Sequence, residues 1–363
     1  MTSTHPTPFT ASTGSMSSTG STSAGLGARH VCLAVLVAAI WGVNFVAIDA
    51  GLAHCPPLLF TALRFAVAAV PAVFLVGRPG VPWRYVLAGG LVLGALQFGL
   101  LFEGMRAGMP AGLSSLVQQG QAVFTAGFAA VLLRERITGR RLGGLGIAVA
   151  GIAVAALDQA SRGGSTSLGA FALVVGAAAA FGLSNIITRR AAPPDALRWM
   201  VWVSVVPPLP LAALSLLVEG ERTDLRALGG FGLSATASLL YVAWGATLVG
   251  FGLWGHLLRH HDASVVAPFS LLVPVFGMSS AWLLRGEALT PLSLCAALLV
   301  IAGVALASLR GPLRRGRRQA PAQGGAAGAD AGWIRAGRGG GGPARTTPPP
   351  AAAGAAASPG PRR

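Results

Sequence analysis

Lysine is missing from this 363-residue chain, whose 27 basic residues are therefore all Arg, set against only 11 Asp and Glu. Charged residues make up 10% of the sequence, where a soluble domain carries about 25%. That scarcity excludes a typical cytosolic enzyme. The exclusive use of Arg reads as coding bias rather than chemistry. Cysteine is almost as rare: Cys32, Cys55 and Cys295 stand far apart without a C-x-x-C pair, so neither a disulfide framework nor a zinc site is expected. The six His include no H-E-x-x-H spacing, and His260-His261-Asp262 reads as a polar loop. No metal and no cofactor are expected. A G-x-x-x-x-G-K-[ST] loop is also lacking, so the chain has no P-loop of its own with which to use ATP.

What the sequence has in abundance is apolar length: 53% of its residues are hydrophobic. Residues 1–30 form a Ser/Thr-rich tail and residues 310–363 an Arg/Gly/Pro/Ala-rich one. Neither tail buries enough apolar surface to offset its ordering entropy, so both read as disordered. Between them, apolar runs recur with short polar breaks. A bilayer core of about 30 Å needs about 20 helical residues, within a range of about 17–25. On that ruler ten spans appear: Val31–Ala50, Pro57–Val76, Tyr85–Leu101, Ala111–Leu133, Leu142–Leu157, Leu168–Thr188, Trp199–Val218, Leu233–Leu257, Ala263–Leu284 and Pro291–Leu309. The first is not read as a signal peptide, because a long polar tail precedes it and no A-x-A site follows. Backbone groups find no water in lipid, so spanning helices are expected, and no alternating barrel segments are present. The fold class is an all-α integral membrane protein.

Arg placement predicts the orientation, since positive residues stay on the cytoplasmic side. With both termini inside, only Arg106, Arg162, Arg222, Arg226 and Arg285 fall outside, Arg64 lies within a span, and every other Arg is cytoplasmic. An internal repeat adds a constraint. A shift of 152 positions superposes Leu132 on Leu284, Glu135 on Glu287, Thr138 on Thr290, Gly151 on Gly303 and Leu157 on Leu309. Each repeat holds five helices, an odd number, so the second must lie inverted relative to the first, an arrangement used by transporters.

The junctions carry a resemblance. Trp41-Gly42-Val43-Asn44-Phe45, Pro56-Pro57 with Leu63-Arg64-Phe65, the run from Gly108 to Leu113, the run QQGQAVFT from Gln118 to Thr125, Glu135-Arg136, and the run from Ala267 to Val275 occur in family-like order and spacing. In these the chain resembles the EamA-type branch of the drug/metabolite transporter superfamily, and most of all its O-acetylserine/cysteine exporters. The resemblance covers about Val31 to Leu309. It implies ten transmembrane helices as two inverted five-helix EamA repeats, residues 31–157 and 168–309. It further implies a bacterial inner-membrane carrier exporting small amino-acid metabolites. The long tails and the His256/His260/His261 region depart from the family pattern.

Polar groups within spans usually face a bundle interior or a water-filled cavity. Ser114, Gln118, Gln121 and Thr125 recur at i, i+4, i+7 and i+11, one face of a regular helix. Such a face suits a zwitterion, or alternatively bonds to neighbouring helices. Gln119 points away from that stripe. Trp41, Asn44, Gln97, Asn185 and Ser270 are further candidate substrate contacts. Arg64 either snorkels or offers a bidentate clamp for a carboxylate, and Glu103 reads as a loop charge. Pro268 and Pro274 each remove an intrahelical hydrogen bond, making the ninth span a kink or hinge. Tyr241, Trp244, Phe251 and Trp254 read mainly as interface anchors. Gly144/Ala148 and Gly151/Ala155 read as tight helix packing. Glu135 and Glu287 read as structural groups at the starts of the fifth and tenth helices, with Thr138 and Thr290 as caps.

The expected partners are a small amino-acid-like substrate and the lipid bilayer, without nucleic acid; a coupling proton and a homodimer stay open. The leading function is export by alternating access, with a broader amino-acid, drug or metabolite exporter as the alternative. An intramembrane enzyme is the reading from a different class. Gly112-x-Ser114 and Gly182-x-Ser184 echo nucleophile turns, but neither continues to Gly and no base is positioned. A nucleic-acid role for the C-terminal tail is set aside, because anionic lipid accounts for its Arg cluster.

Overall fold

The computed structural model describes residues 27–308, with the side chains of 162–167 and 263–264 excepted. Most of both expected tails lies outside the described residues. Ten helical spans follow one another: α1 (Ala28–Leu52), α2 (Pro57–Val73), α3 (Trp83–Arg106), α4 (111–132), α5 (Gly139–Ser161), α6 (Leu168–Ala191), α7 (Ala196–Gly229), α8 (Leu233–His260), α9 (263–285) and α10 (Pro291–Ser308). Proline starts two of them, at Pro57 and Pro291, where a missing N–H costs nothing. The exterior is apolar, with Val131, Leu209, Leu217 and Leu298 exposed, while Arg64, Gln97 and Gln118 are buried. That inversion of the soluble pattern is what lipid as the surrounding solvent requires. The chain is a multi-pass membrane protein.

Two boundaries differ from the sequence reading. First, the chain keeps helical local turns from Gly139 to Ala191, including the connection between α5 and α6 where a gap is expected. It reverses on the way: a Cβ at Gly120 would meet both Ile152 and Ala178, residues that a straight helix would hold about 39 Å apart. Second, α7 continues to Gly229 through a bend at Gly220 (φ 90). Its last turns carry Glu221, Arg222, Asp224 and Arg226, too polar for a hydropathy ruler to include.

The inversion of the repeats is visible in the packing. Gly42 on α1 lets the backbone of α9 approach, a Cβ there lying 2.5 Å from Phe276 Cβ and 2.8 Å from Gly277 N. Its image is Gly182 on α6, where a Cβ would lie 2.7 Å from Phe124 Cβ and 2.8 Å from Thr125 N of α4. Residues 276 and 277 are residues 124 and 125 displaced by the repeat shift of 152. The expected small-residue packing joins the repeats, with Gly144 against Gly303 and Ala307, and Gly151 against Val300.

Four of the five irregular helical stretches among the described residues form two pairs, the fifth being a π-helical stretch of α7 at Leu216–Gly220. A π-helical stretch interrupts α3 at Gly90–Gln97 and α8 at Tyr241–Val249. A 3₁₀ stretch interrupts α4 at Gln118–Gly120 and α9 at Ala267–Leu272. Mid-helix departures of this kind mark hinges and functional positions, and these four meet at one central cavity.

Candidate functional site

The cavity holds about 290 Å³ and is lined by α1, α2, α3, α4, α6, α8 and α9. Its one charged lining residue is Arg64, which is 2% exposed. The guanidinium does not snorkel. Nη2 donates to Thr247 Oγ1 at 2.8 Å, and the charge sits 3.9 Å from the centre of the Phe98 ring. Thr247 takes its place from the π register of α8, in which its hydroxyl donates five residues back to Val242 O at 2.9 Å. Among the described residues no carboxylate pairs with Arg64. Its Nε and Nη1 have no hydrogen-bond partner among the described residues. Glu103 lies within the last turns of α3 rather than in a loop.

Further unpartnered polar atoms belong to the same lining. They are Asn44 Oδ1, Gln97 Oε1, and both Oε1 and Nε2 of Gln118. Buried polar groups are nearly always hydrogen-bonded, and each orphan costs about 1–3 kcal/mol. Their concentration around one cavity, beside an uncompensated cation, is the electrostatic signature of the site. Aromatic rings form the rest of the wall. Trp41 donates Nε1–H to Ala246 O at 3.0 Å and packs 5.2 Å from Phe251 and 5.3 Å from Trp254, centre to centre.

Of the residues singled out from sequence, Trp41, Asn44, Arg64, Gln97, Gln118, Gln121, Asn185 and Ser270 line the cavity. Ser114 and Thr125 do not. Ser114 is fully buried away from it. Thr125 is tied into the α4–α6 crossing, where Asn185 Nδ2 donates to Thr125 Oγ1 at 3.1 Å and to Gln121 Oε1 at 2.8 Å. The 3₁₀ turn at Gln118–Gly120 advances about 120° per residue rather than about 100° and so rotates Thr125, which follows it, relative to the residues before it. Gln119, within that turn, lies on the lining, contrary to expectation, and its Nε2 donates to Ser270 O at 2.8 Å. Pro268 lies in the 3₁₀ stretch of α9 and Pro274 just after it.

Sequence reasoning passed over Phe45, Phe98, Ser115 and Phe181, and assigned Phe251 and Trp254 to the membrane interface. All six line the cavity. The i, i+3 spacing of Phe251 and Trp254 held the available signal.

The terminal carboxylates also differ from expectation. Glu287 reaches the start of a helix other than the one it precedes. Its Oε1 accepts Ala111 N–H at 2.7 Å and its Oε2 accepts Gly112 N–H at 3.0 Å, at the start of α4. Glu135 pairs with Arg189 at the end of α6, and that bond holds its carboxyl below the ordinary carboxylate range. The expected caps Thr138 and Thr290 do accept from Arg141 N–H and Ser293 N–H. Cys55 is buried, and burial beside Glu219 and Asp224 pushes its thiol up to about 12.

Comparisons with known proteins fit this architecture. A solved crystal structure aligns with a TM-score of 0.54 at 19% identity, over 77% of this chain and 95% of the other, and so supports the fold. A protein of Salmonella typhimurium named a probable amino-acid metabolite efflux pump is 41% identical over 276 residues, 75% of this chain and 92% of its own. A protein of the same name from Escherichia coli K12 is 39% identical over the same shares of the two chains. A probable terminal-alkyne amino-acid exporter of Streptantibioticus cattleyicolor is 29% identical over 81% of this chain and 98% of its own. The model of the EamA-like transporter family matches twice, at residues 28–157 and 165–309, one match to each inverted repeat, and the chain belongs to that family.

Proposed function

We propose that the protein exports a small zwitterionic amino-acid metabolite, of the cysteine or O-acetylserine kind, across the bacterial inner membrane by alternating access. The observation that carries this reading is the buried guanidinium of Arg64, without a carboxylate partner, in a cavity whose other polar atoms are neutral. A lone interior cation favours an anionic group. The substrate carboxylate would take the free N–H groups of Arg64, as a bidentate or charge-assisted pair. The substrate ammonium has three donors, and Asn44 Oδ1, Gln97 Oε1 and Gln118 Oε1 are three acceptors without partners among the described residues. The names of the relatives, which describe efflux of amino-acid metabolites, agree with this chemistry and with a carrier rather than an enzyme. Both termini would face the cytoplasm, and Pro268 and Pro274 would let α9 bend as the repeats rock.

A broader exporter is favoured by one feature: the aromatic wall of Trp41, Phe251 and Trp254 would receive a longer apolar side chain. Uptake of labelled cysteine and O-acetylserine into inside-out vesicles tests the reading, with larger amino acids as competitors and with or without a proton gradient. Saturable accumulation of either compound is expected. Accumulation of neither would remove the substrate assignment. Competition only by larger amino acids would favour the broader exporter.

A further inference from the structure

The two repeats make the same turn twice, on opposite faces of the bundle. After α4, Arg134 adopts a left-handed conformation (φ 54) and Glu135 N–H reaches back to Ala129 O at 3.3 Å. After α9, Gly286 does the same (φ 66), and Glu287 N–H reaches Ala281 O at 3.3 Å. Each residue of the second turn is the first displaced by 152 positions. From these matched turns the two carboxylates reach different partners. Glu287 crosses to the amides of Ala111 and Gly112, binding the end of α9 to the start of α4. Gly112 leaves room for it, since a Cβ there would stand 3.1 Å from Oε2. The image of that contact would place Glu135 on the start of α9 at Ala263. Instead Glu135 holds Arg189.

The packing divides in the same way. Residues 111–117 of α4 pack against Val273–Arg285 of α9, whereas residues 121–132 pack on α5 and α6 and make no comparable contact with 263–272. The end of the bundle beside Glu287 is closed between α4 and α9, and the end beside Glu135 is parted between them.

We propose that Glu287 and Glu135 are alternating latches, positioning residues for transport that hold shut opposite ends of the cavity in opposite conformations. In the conformation described, Glu287 grips the start of α4. In the other, Glu287 releases those amides while Glu135 leaves Arg189 and grips the start of α9. A carboxylate accepting amide hydrogen bonds at a helix start gains from charge assistance and from the helix dipole. Arg189 gives Glu135 a charged partner to hold while it is undocked. The inference rests on the transport reading only in that both ends must open in turn.

The test uses the full chain in proteoliposomes, with Cys32→Ser, Cys55→Ala and Cys295→Ser as background and Leu113→Cys as reporter. Leu113 is 5% exposed, at the closed end. A membrane-impermeant maleimide is added to each side in turn, without substrate. Glu287→Gln is expected to raise labelling from the closed side at least fivefold, and Glu135→Gln to lower it at least twofold. If Glu287→Gln does not reach the membrane, Gly112→Ala, which crowds the docked carboxylate, carries the same expectation as Glu287→Gln. Unchanged labelling in the Glu287 variant, or a rise in both variants, would overturn the proposal. A merely structural cap would lower stability without opposite shifts in sidedness. Because no substrate is added, failure of the cysteine assignment leaves this result standing.

Discussion

Arg64 combines three things that lysine cannot supply together: a stacked guanidinium plane on Phe98, a hydrogen bond to Thr247, and N–H groups left over. Arg64→Lys should therefore lower transport at least tenfold at equal membrane abundance, measured as initial uptake rate in inside-out vesicles; near-normal transport would sink the clamp. Gln118 makes the complementary case. Its amide carries two unpartnered buried atoms, so Gln118→Leu should raise stability by about 1 kcal/mol while impairing transport. Thermal melting in detergent beside the uptake assay checks it, and a variant that loses both stability and transport contradicts it. Gln119, expected from a regular helix to be a silent control, holds Ser270 and lines the cavity, so Gln119→Ala should also slow export. Arg134 bears the left-handed strain that Gly286 avoids at the image turn. The strain costs about 1–2 kcal/mol and the freer unfolded glycine returns about 0.4–1 kcal/mol, leaving Arg134→Gly a net stabilisation of about 0.5 kcal/mol. An unchanged or lower melting temperature would refute it.

Helix pairs in this bundle are set by glycine at the crossings, because lipid offers no hydrophobic drive between helices and packing must supply the attraction. Gly42 and Gly182 stand at image positions, each with partner backbone closer than a Cβ tolerates, so Gly42→Val and Gly182→Val should each destabilise by about 1–3 kcal/mol or more. Gly146, with nothing within 4 Å, is the matched control. Equal melting temperatures for all three variants would show that the crossings are not close-packed. The same scale separates what was legible in sequence from what was not. Span number follows from bilayer thickness, so ten runs of apolar residues gave ten helices. Repeat inversion follows from an odd count. The π and 3₁₀ stretches were hidden, because a change of helical period at Gln118–Gly120 comes from packing against other segments and leaves composition untouched. The changed phase of Thr125, which follows that stretch, is a direct result. Glu287 was recognised as a paired residue, but its partner lies 176 positions away, a distance that no local pattern encodes.

At the scale of the molecule, the excess of Arg is a statement about sidedness. The turn joining α2 to α3 carries Arg78 and the start of α3 carries Arg84, and the same face receives Arg134, Arg136, Arg189, Arg190 and Arg259. The opposite face receives Arg106, Arg222, Arg226 and Arg285, two of which sit within a turn of Glu221 and Asp224 on the polar end of α7. Basic residues near span ends are retained on the cytoplasmic side, while acidic residues contribute little, so the face with the α2–α3 turn should be cytoplasmic. This orientation would place the parted end of the cavity toward the cytoplasm, where an exporter must load, and the end held by Glu287 toward the exterior. Alkaline phosphatase, active only after translocation, inserted at Gly232 between α7 and α8 should be active, and inserted at Gly80 between α2 and α3 should be inactive. The reverse pattern would turn the described conformation into one open to the exterior, and with it the order in which Glu287 and Glu135 must release during export.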